Sequence, residues 1–263
     1  MTIKNYENLL EKISKSDELI LKDGYFGIER ETLRISNNYI SKLDHHLCFG
    51  SPLCNEYITT DFSESLLELI TPPATSKNKG FKFLDNIHHF VARNIGKEVL
   101  WPFSMPPYVR SDDDIKIAFY GNSNPALFKV LYRKGLSNRY GRLMQSVAGL
   151  HFNYSFPEQF WTLPIFDQYE TSRAKLKEHI YMRAVRNINR NNWIIFYFFG
   201  ASPVVSKNFS TNKIEGLKDK DDFYYLDYAT SFRNSKLGYQ PVNQQKLKIS
   251  LESIKKYAED LIE

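Results

Sequence analysis

The stretch GIERETLR, residues 27–34, sets Glu29 and Glu31 two positions apart, with Arg30 between them and Arg34 closing the run. In an extended strand alternate side chains share a face. Gly27, Glu29, Glu31 and Leu33 then look one way, and Ile28, Arg30, Thr32 and Arg34 look the other. Two carboxylates on one face repel each other. Basic partners on a solvated surface can relieve that repulsion, and so can a divalent cation that prefers oxygen ligands. Both readings are open on this stretch alone.

Three further places carry donors of the same kind. Asp61 and Glu68 lie in TTDFSESLLEL, and His151 and Asn153 in GLHFNYSF. Glu68 is flanked by Leu66, Leu67, Leu69 and Ile70, and a carboxylate in such surroundings is costly unless it is paired, metal-bound or turned to water. His151 reads either as a hydrogen-bonded structural residue or as a ligand. If these strands share a sheet, the polar faces converge on a cluster of carboxylates and one imidazole, the donor set of magnesium or manganese sites. Arg233, in LDYATSFRNSKLGY, adds a forked guanidinium suited to a carboxylate or a phosphate, although solvation is the default for such a residue. Neither G-x-x-x-x-G-K-[ST] nor G-x-G-x-x-G occurs, so a nucleotide would be held by metal and arginine.

Elements that could position these groups are readable from periodicity. Tyr6, Leu9, Leu10 and Ile13 recur at helical spacing ahead of the GIERETLR strand, and residues 36–55 read as a polar loop. YITTDFSESLLELITPP looks extended at both ends and is closed by Pro72 and Pro73. Phe81, Leu84, Ile87, Val91 and Ile95 form the stripe of a helix over 79–99, which the prolines of WPFSMPP stop. Residues 149–156 alternate as a strand, with Leu150, Phe152, Tyr154 and Phe156 as its packing face. A long helix is expected over 171–199, with a buried aromatic end and Gly200 as its stop, and a last helix over 244–262.

Composition bounds the class. The 263 residues are 42% hydrophobic and 15% aromatic, enough for a packed core, and no repeat or linker divides them, so one domain over 1–263 is expected. With 35 basic and 30 acidic residues the net charge of +5 is too mild and dispersed for a nucleic-acid stripe, though it suits small anions. Cys48 and Cys54 have neither redox-motif nor zinc-finger spacing. The charged first residues lack the apolar core of a signal peptide, and the longest apolar run, 193–200, is too short to cross a bilayer. The expectation is a cytoplasmic protein without nucleic-acid or membrane partners.

The segments GIERETLR, ITTDFSESLLELITP, WPFSMPPY, LYRKGLSNRYG, GLHFNYSF, FFGASP and YATSFRNSKLGY, in this order, resemble glutamate-cysteine ligase of the proteobacterial type. The resemblance runs from Gly27 to Tyr239. It implies an α+β fold in which an antiparallel sheet curls into a funnel, as in glutamine synthetase, with helices packed outside. It implies ATP-dependent joining of the L-glutamate side-chain carboxylate to the L-cysteine amine through an acyl phosphate, the first step of glutathione synthesis. By that resemblance Glu29, Glu31, Asp61, Glu68 and His151 are magnesium ligands, with manganese as the other candidate metal. Arg233 contacts glutamate or the transferred phosphoryl group, and Phe62, Tyr132, Leu136, Gln145 and Tyr239 line the cysteine pocket.

Members of the family are roughly twice this length. The resemblance therefore covers the N-terminal half, and the other half would bring a further acidic ligand and an arginine, in a strand resembling I-E-V-R, with much of the nucleotide site. An incomplete funnel would expose sheet edges and an apolar face. Three readings stay open: a ligase completed by a separate chain, an inactive remnant, and an amino-acid-binding protein.

Overall fold

A computed structural model of the chain describes residues 11, 20–167, 169, 171–209, 216–235 and 249–262. Strand β1 (Tyr25–Ser36) forms a tight hairpin with β2 (Tyr39–Ile40), and β3 (Ile58–Thr60) forms a second hairpin with β4 (Leu66–Ile70). β5 (Val99–Leu100) and β6 (Leu150–Ser155) complete an antiparallel six-stranded sheet. A separate three-stranded sheet contains β7 (Val204–Ser206), β8 (Lys218–Lys220) and β9 (Phe223–Tyr225) in the order β7-β9-β8.

β1 is the axis. Glu29 and Arg30 are opposed by Ile70 and Leu69 of β4 and by His151 and Leu150 of β6, so β4 and β6 must lie on opposite edges. One face of the sheet is apolar: Ile58, Leu67 and Leu69 pack against Ile87, Val91 and Ile95 from the helix Lys77–Asn94 and the turn that follows it. The opposite face is divided along its length. Leu33 and Leu66 are buried with Phe62 and Ile115, while the stretch next to them carries Glu29, Glu31 and Glu68.

The helix-packed face also explains the two arginines of GIERETLR. Arg30 Nη1 donates to His88 Nε2 on the packed helix at 2.6 Å, which makes that nitrogen an acceptor, and burial followed by the Arg30 charge lowers the His88 pKa. Arg34 is wholly buried. It donates to Glu98 (2.7 Å) and to the carbonyls of Leu43 (2.5 Å) and Glu64 (3.0 Å), while the Glu64 carboxylate accepts the N–H groups of His45 (2.8 Å) and Phe119 (2.9 Å). Four separate stretches of chain are thereby tied to β1.

Several expectations change. Residues 36–55 contain β2 and the helix His45–Phe49 rather than an uninterrupted loop, because Ile40 and Phe49 join apolar clusters. The helix expected over 79–99 runs from Lys77 to Asn94, and the chain then turns so that Glu98 reaches Arg34. The long helix is two, Arg173–Asn191 and Trp193–Phe199, broken at Asn192. Its aromatic end is exposed instead of buried, and so are Leu150 and Phe152 of β6. Gly200 closes the second helix without a left-handed turn; a Cβ there would lie 2.4 Å from the Thr230 carbonyl oxygen, so its role is to admit that backbone segment. Of the opening helix only Glu11 is described, and it is helical. The last helix spans Ile254–Ile262; residues 244–248 lie outside the described residues, and 249–253 are not helical. No helix among the described residues is long and apolar enough to cross a membrane.

His45 supplies a test of this packing. Burial, then the nearby Arg34 charge, holds its imidazole down to about 4 from an ordinary 6.5, with the Ile58 backbone offsetting only part. Between those values the unfolded chain binds the proton and the folded chain does not, so stability rises with pH across that window. Acidification from pH 7 to pH 4 should remove about 3 kcal/mol through this group. The His45→Gln variant should lose less stability than wild type over the same interval in chemical denaturation. Equal pH slopes for the two proteins would rule the assignment out.

Candidate active site

Register builds the site. On β1, Glu29 is directly opposite His151 of β6, and Glu31 is directly opposite Glu68 of β4, with Thr59 of β3 beyond it. Directly opposed residues share a face, so the two carboxylates of GIERETLR, Glu68 and His151 come together on one surface. His151 Nδ1 is 3.2 Å from Glu29 Oε2 and 3.9 Å from Glu31 Oε1, and Asn153 Nδ2 donates to Glu29 Oε1 at 2.9 Å. Asp61 stands in the turn between β3 and β4, where its backbone N–H donates to the Leu66 carbonyl at 3.0 Å.

Crowding governs the electrostatics. Burial, and then the Asp61 charge, raises the Glu31 carboxyl pKa, with His151 and Arg233 acting against them. Burial likewise raises Asp61, partly countered by Arg133, His151 and Arg233. Glu68 is pushed up to about 7 by burial first, then by Asp61, Glu31 and Glu29. A cation among these oxygens would reverse the penalty, and hard carboxylate oxygens with one imidazole are chemically suited to magnesium or manganese. The side chains are not drawn into a ready shell, however. Among the described residues no group of three or more His, Cys, Asp or Glu is arranged to hold a metal ion. Glu31 Oε2 instead accepts the Gly149 N–H at 2.5 Å, and Glu29 is engaged by His151 and Asn153.

Arg233 reaches the same place from the distant end of the chain. Its neighbour Phe232 is buried with Met105, Val147, Val205 and Phe209, and the Phe232 N–H donates to the Ser202 carbonyl at 2.8 Å. Arg233 Nε then donates to the Ala148 carbonyl at 3.0 Å. A Cβ on Gly149 would lie 2.7 Å from Arg233 Nη2 and 2.9 Å from His151 Nε2, so only glycine lets both side chains approach. Glu31 and Arg233 line a cleft of about 380 Å³ together with Trp101, Ser104, Asn234, Phe196 and Phe199.

The remaining expected positions divide. Phe62 and Leu136 pack in one apolar cluster, Tyr132 is exposed on the helix Asn124–Tyr140, and Tyr239 lies outside the described residues. Gln145 is buried, and its Nε2 finds no hydrogen-bond partner among the described residues. Sequence reasoning missed Arg133, whose Nε donates to the Asp61 carbonyl at 2.5 Å and whose guanidinium lies 4.6 Å from the Tyr120 ring centre. Its adjacency to Tyr132 on a helix was the available signal. Gly149 was read only as the start of a strand.

One sheet face thus gathers crowded carboxylates and an imidazole, with an arginine at its rim. The family description "Glutamate-cysteine ligase" matches residues 10–263. Glutamate-cysteine ligases of Aliivibrio fischeri and Vibrio parahaemolyticus are 44% and 45% identical, over 97% and 96% of this chain and 49% of each relative. The crystal structure of glutamate-cysteine ligase from Francisella tularensis in complex with AMP aligns with a TM-score of 0.84 at 39% identity, covering 91% of this chain and 47% of that one. A bifunctional glutathione synthetase from Pasteurella multocida aligns at 0.78 and 30% identity, over 98% of this chain and 32% of that one. The chain belongs to the glutamate-cysteine ligase family, and it spans about half the length of the curated relatives it matches.

The close approach at Gly149 gives a direct check on the geometry. Gly149→Ala should fold with only a small loss of stability, because the atoms a Cβ would meet are the ends of the Arg233 and His151 side chains, which can move aside. It should also displace the His151 ring, read as shifted imidazole resonances by NMR. Unmoved His151 signals in the folded variant would contradict the packing described.

Proposed function

We propose that this chain carries the cation- and glutamate-binding side of a glutamate-cysteine ligase site, for ATP-dependent joining of the glutamate side-chain carboxylate to the amine of cysteine. The observation that supports this most directly is the cross-strand register opposing Glu29 to His151 and Glu31 to Glu68. Family membership and the AMP complex of the Francisella relative support the nucleotide part. ATP with reduced cysteine makes the cytoplasm the fitting compartment, and we treat the chain as one domain of the larger ligase fold.

In this reading an oxygen of the glutamate side-chain carboxylate attacks the γ-phosphorus of ATP, the bond to the bridging oxygen breaks, and ADP leaves. The cysteine amine then attacks the acyl phosphate carbon, phosphate departs, and the amine gives up its proton as the amide forms. Glu29, Glu31, Asp61, Glu68 and His151 would hold magnesium, or manganese in its place. A metal bound there would supply positive charge that offsets that of the phosphates. Arg233, set at the rim by the Ala148 carbonyl, meets the anionic charge of glutamate or of the phosphoryl group. Phe62, Leu136, Tyr132, Gln145 and Tyr239 form the cysteine side, with Gln145 Nε2 as a free donor. Further ligands come from the part of the family's length that this chain does not span, whichever polypeptide carries it.

Thermal unfolding tests the cation site without an activity readout. Millimolar magnesium or manganese should raise the Tm of the chain, and Glu31→Gln should abolish that rise. Glu68→Gln should raise the metal-free Tm, because a neutral amide ends the repulsion with Asp61, Glu31 and Glu29. The same substitution should remove the response to metal. A metal-independent Tm in wild type, or a full metal response in both variants, would refute the assignment. For the reaction itself, ADP release that requires both amino acids, measured on the chain assembled with the rest of the ligase fold, is the expected result, and it should fall at least a hundredfold in Arg233→Ala.

A further inference from the structure

We propose that the apolar surface running from β6 across the helix Trp193–Phe199 is the contact face for the part of the glutamate-cysteine ligase fold that this chain does not span. Leu150 and Phe152 are 70% and 67% exposed, and on the helix Phe198 and Phe199 are 67% and 78% exposed. A helix that is apolar all round belongs in an interior, yet none of the residues in WIIFYFF is buried. Exposed apolar area on this scale marks a surface that something covers.

The patch is continuous, and it is attached to the site. Leu150, Ile195 and Phe199 line the same cleft as Glu31 and Arg233. Whatever covers the patch therefore also borders the cleft that Glu31 and Arg233 line, although Leu150 and Phe152 themselves stand on the face of β6 opposite His151. A second copy of this chain would bring another set of the same crowded acids. The unspanned part of the fold is a better fit, because this chain accounts for only 47% of the Francisella chain while 91% of it aligns there. The proposal rests on family membership and is independent of which metal or substrates the site takes.

Co-expression with the unmatched half of the Vibrio parahaemolyticus ligase, followed by size-exclusion chromatography with light scattering, tests it. A one-to-one complex is expected. The Phe198→Asp, Phe199→Asp double variant should weaken it at least tenfold, whereas Phe81→Asp, on the outer side of the Lys77–Asn94 helix, should leave it intact. If the two pieces do not assemble in trans, they are joined by a flexible linker into one chain. The Tm of that chain should then fall in the double variant and hold in Phe81→Asp. A homodimer of the chain alone that the double variant dissociates would make a second copy the occupant and overturn the proposal. So would a complex or fusion indifferent to the double variant. Activity is not read in either format, so failure here is separate from failure of the ligase reading.

Discussion

The constraint on which the site depends is the double pairing of β1, whose residues Glu29 and Arg30 have partners on β4 and β6 at once. With both edges held, the strand cannot slip by one residue without sending every side chain to the wrong face. The register that buries Leu67 and Leu69 against Ile87 and Val91 is the one that opposes Glu31 to Glu68. Each buried aliphatic side chain contributes roughly 1.5–3 kcal/mol, whereas like charges directly opposed on a sheet cost on the order of 1 kcal/mol. Packing wins, and the carboxylates are held together against their own repulsion.

The reverse side of β1 uses charge differently. Arg34 is removed from water, where an unpaired guanidinium would be very costly, and it is tolerated because Glu98 and two carbonyls receive N–H groups of its two Nη atoms. These partners come from three separate stretches of chain, so the arginine fixes where the connecting segments run. The interleaved sequence of GIERETLR thus serves two purposes. Its glutamates face a site, and its arginines fasten the scaffold that aims them.

Much of this was legible in the sequence where one period dominates locally. Alternation gave the shared face of Glu29 and Glu31, and the stripe of Ile87, Val91 and Ile95 gave the packed helix. The convergence of Glu68 and His151 on that face was only a conditional reading, because strand pairing is non-local and no spacing encodes it. Boundaries shifted where tertiary contacts decide them, as when the turn after Asn94 brings Glu98 to Arg34. Burial was misjudged most clearly on β6 and the Trp193–Phe199 helix. Apolar composition says that a surface wants cover and says nothing of where in the chain the cover lies.

That misjudgement and the crowded carboxylates meet at one place in the molecule. A carboxylate cluster needs positive charge in front of it, and an apolar face needs another surface against it. Both needs border the cleft that holds Glu31, Arg233 and Phe199, although Leu150 and Phe152 stand on the face of the sheet opposite the carboxylates. In the proposed reading, a surface laid over the aromatic helix would exclude water from the cleft, and exclusion of water would strengthen the attraction between a cation and Glu31. The electrostatic and hydrophobic terms therefore favour the same closure, and neither is satisfied without the other.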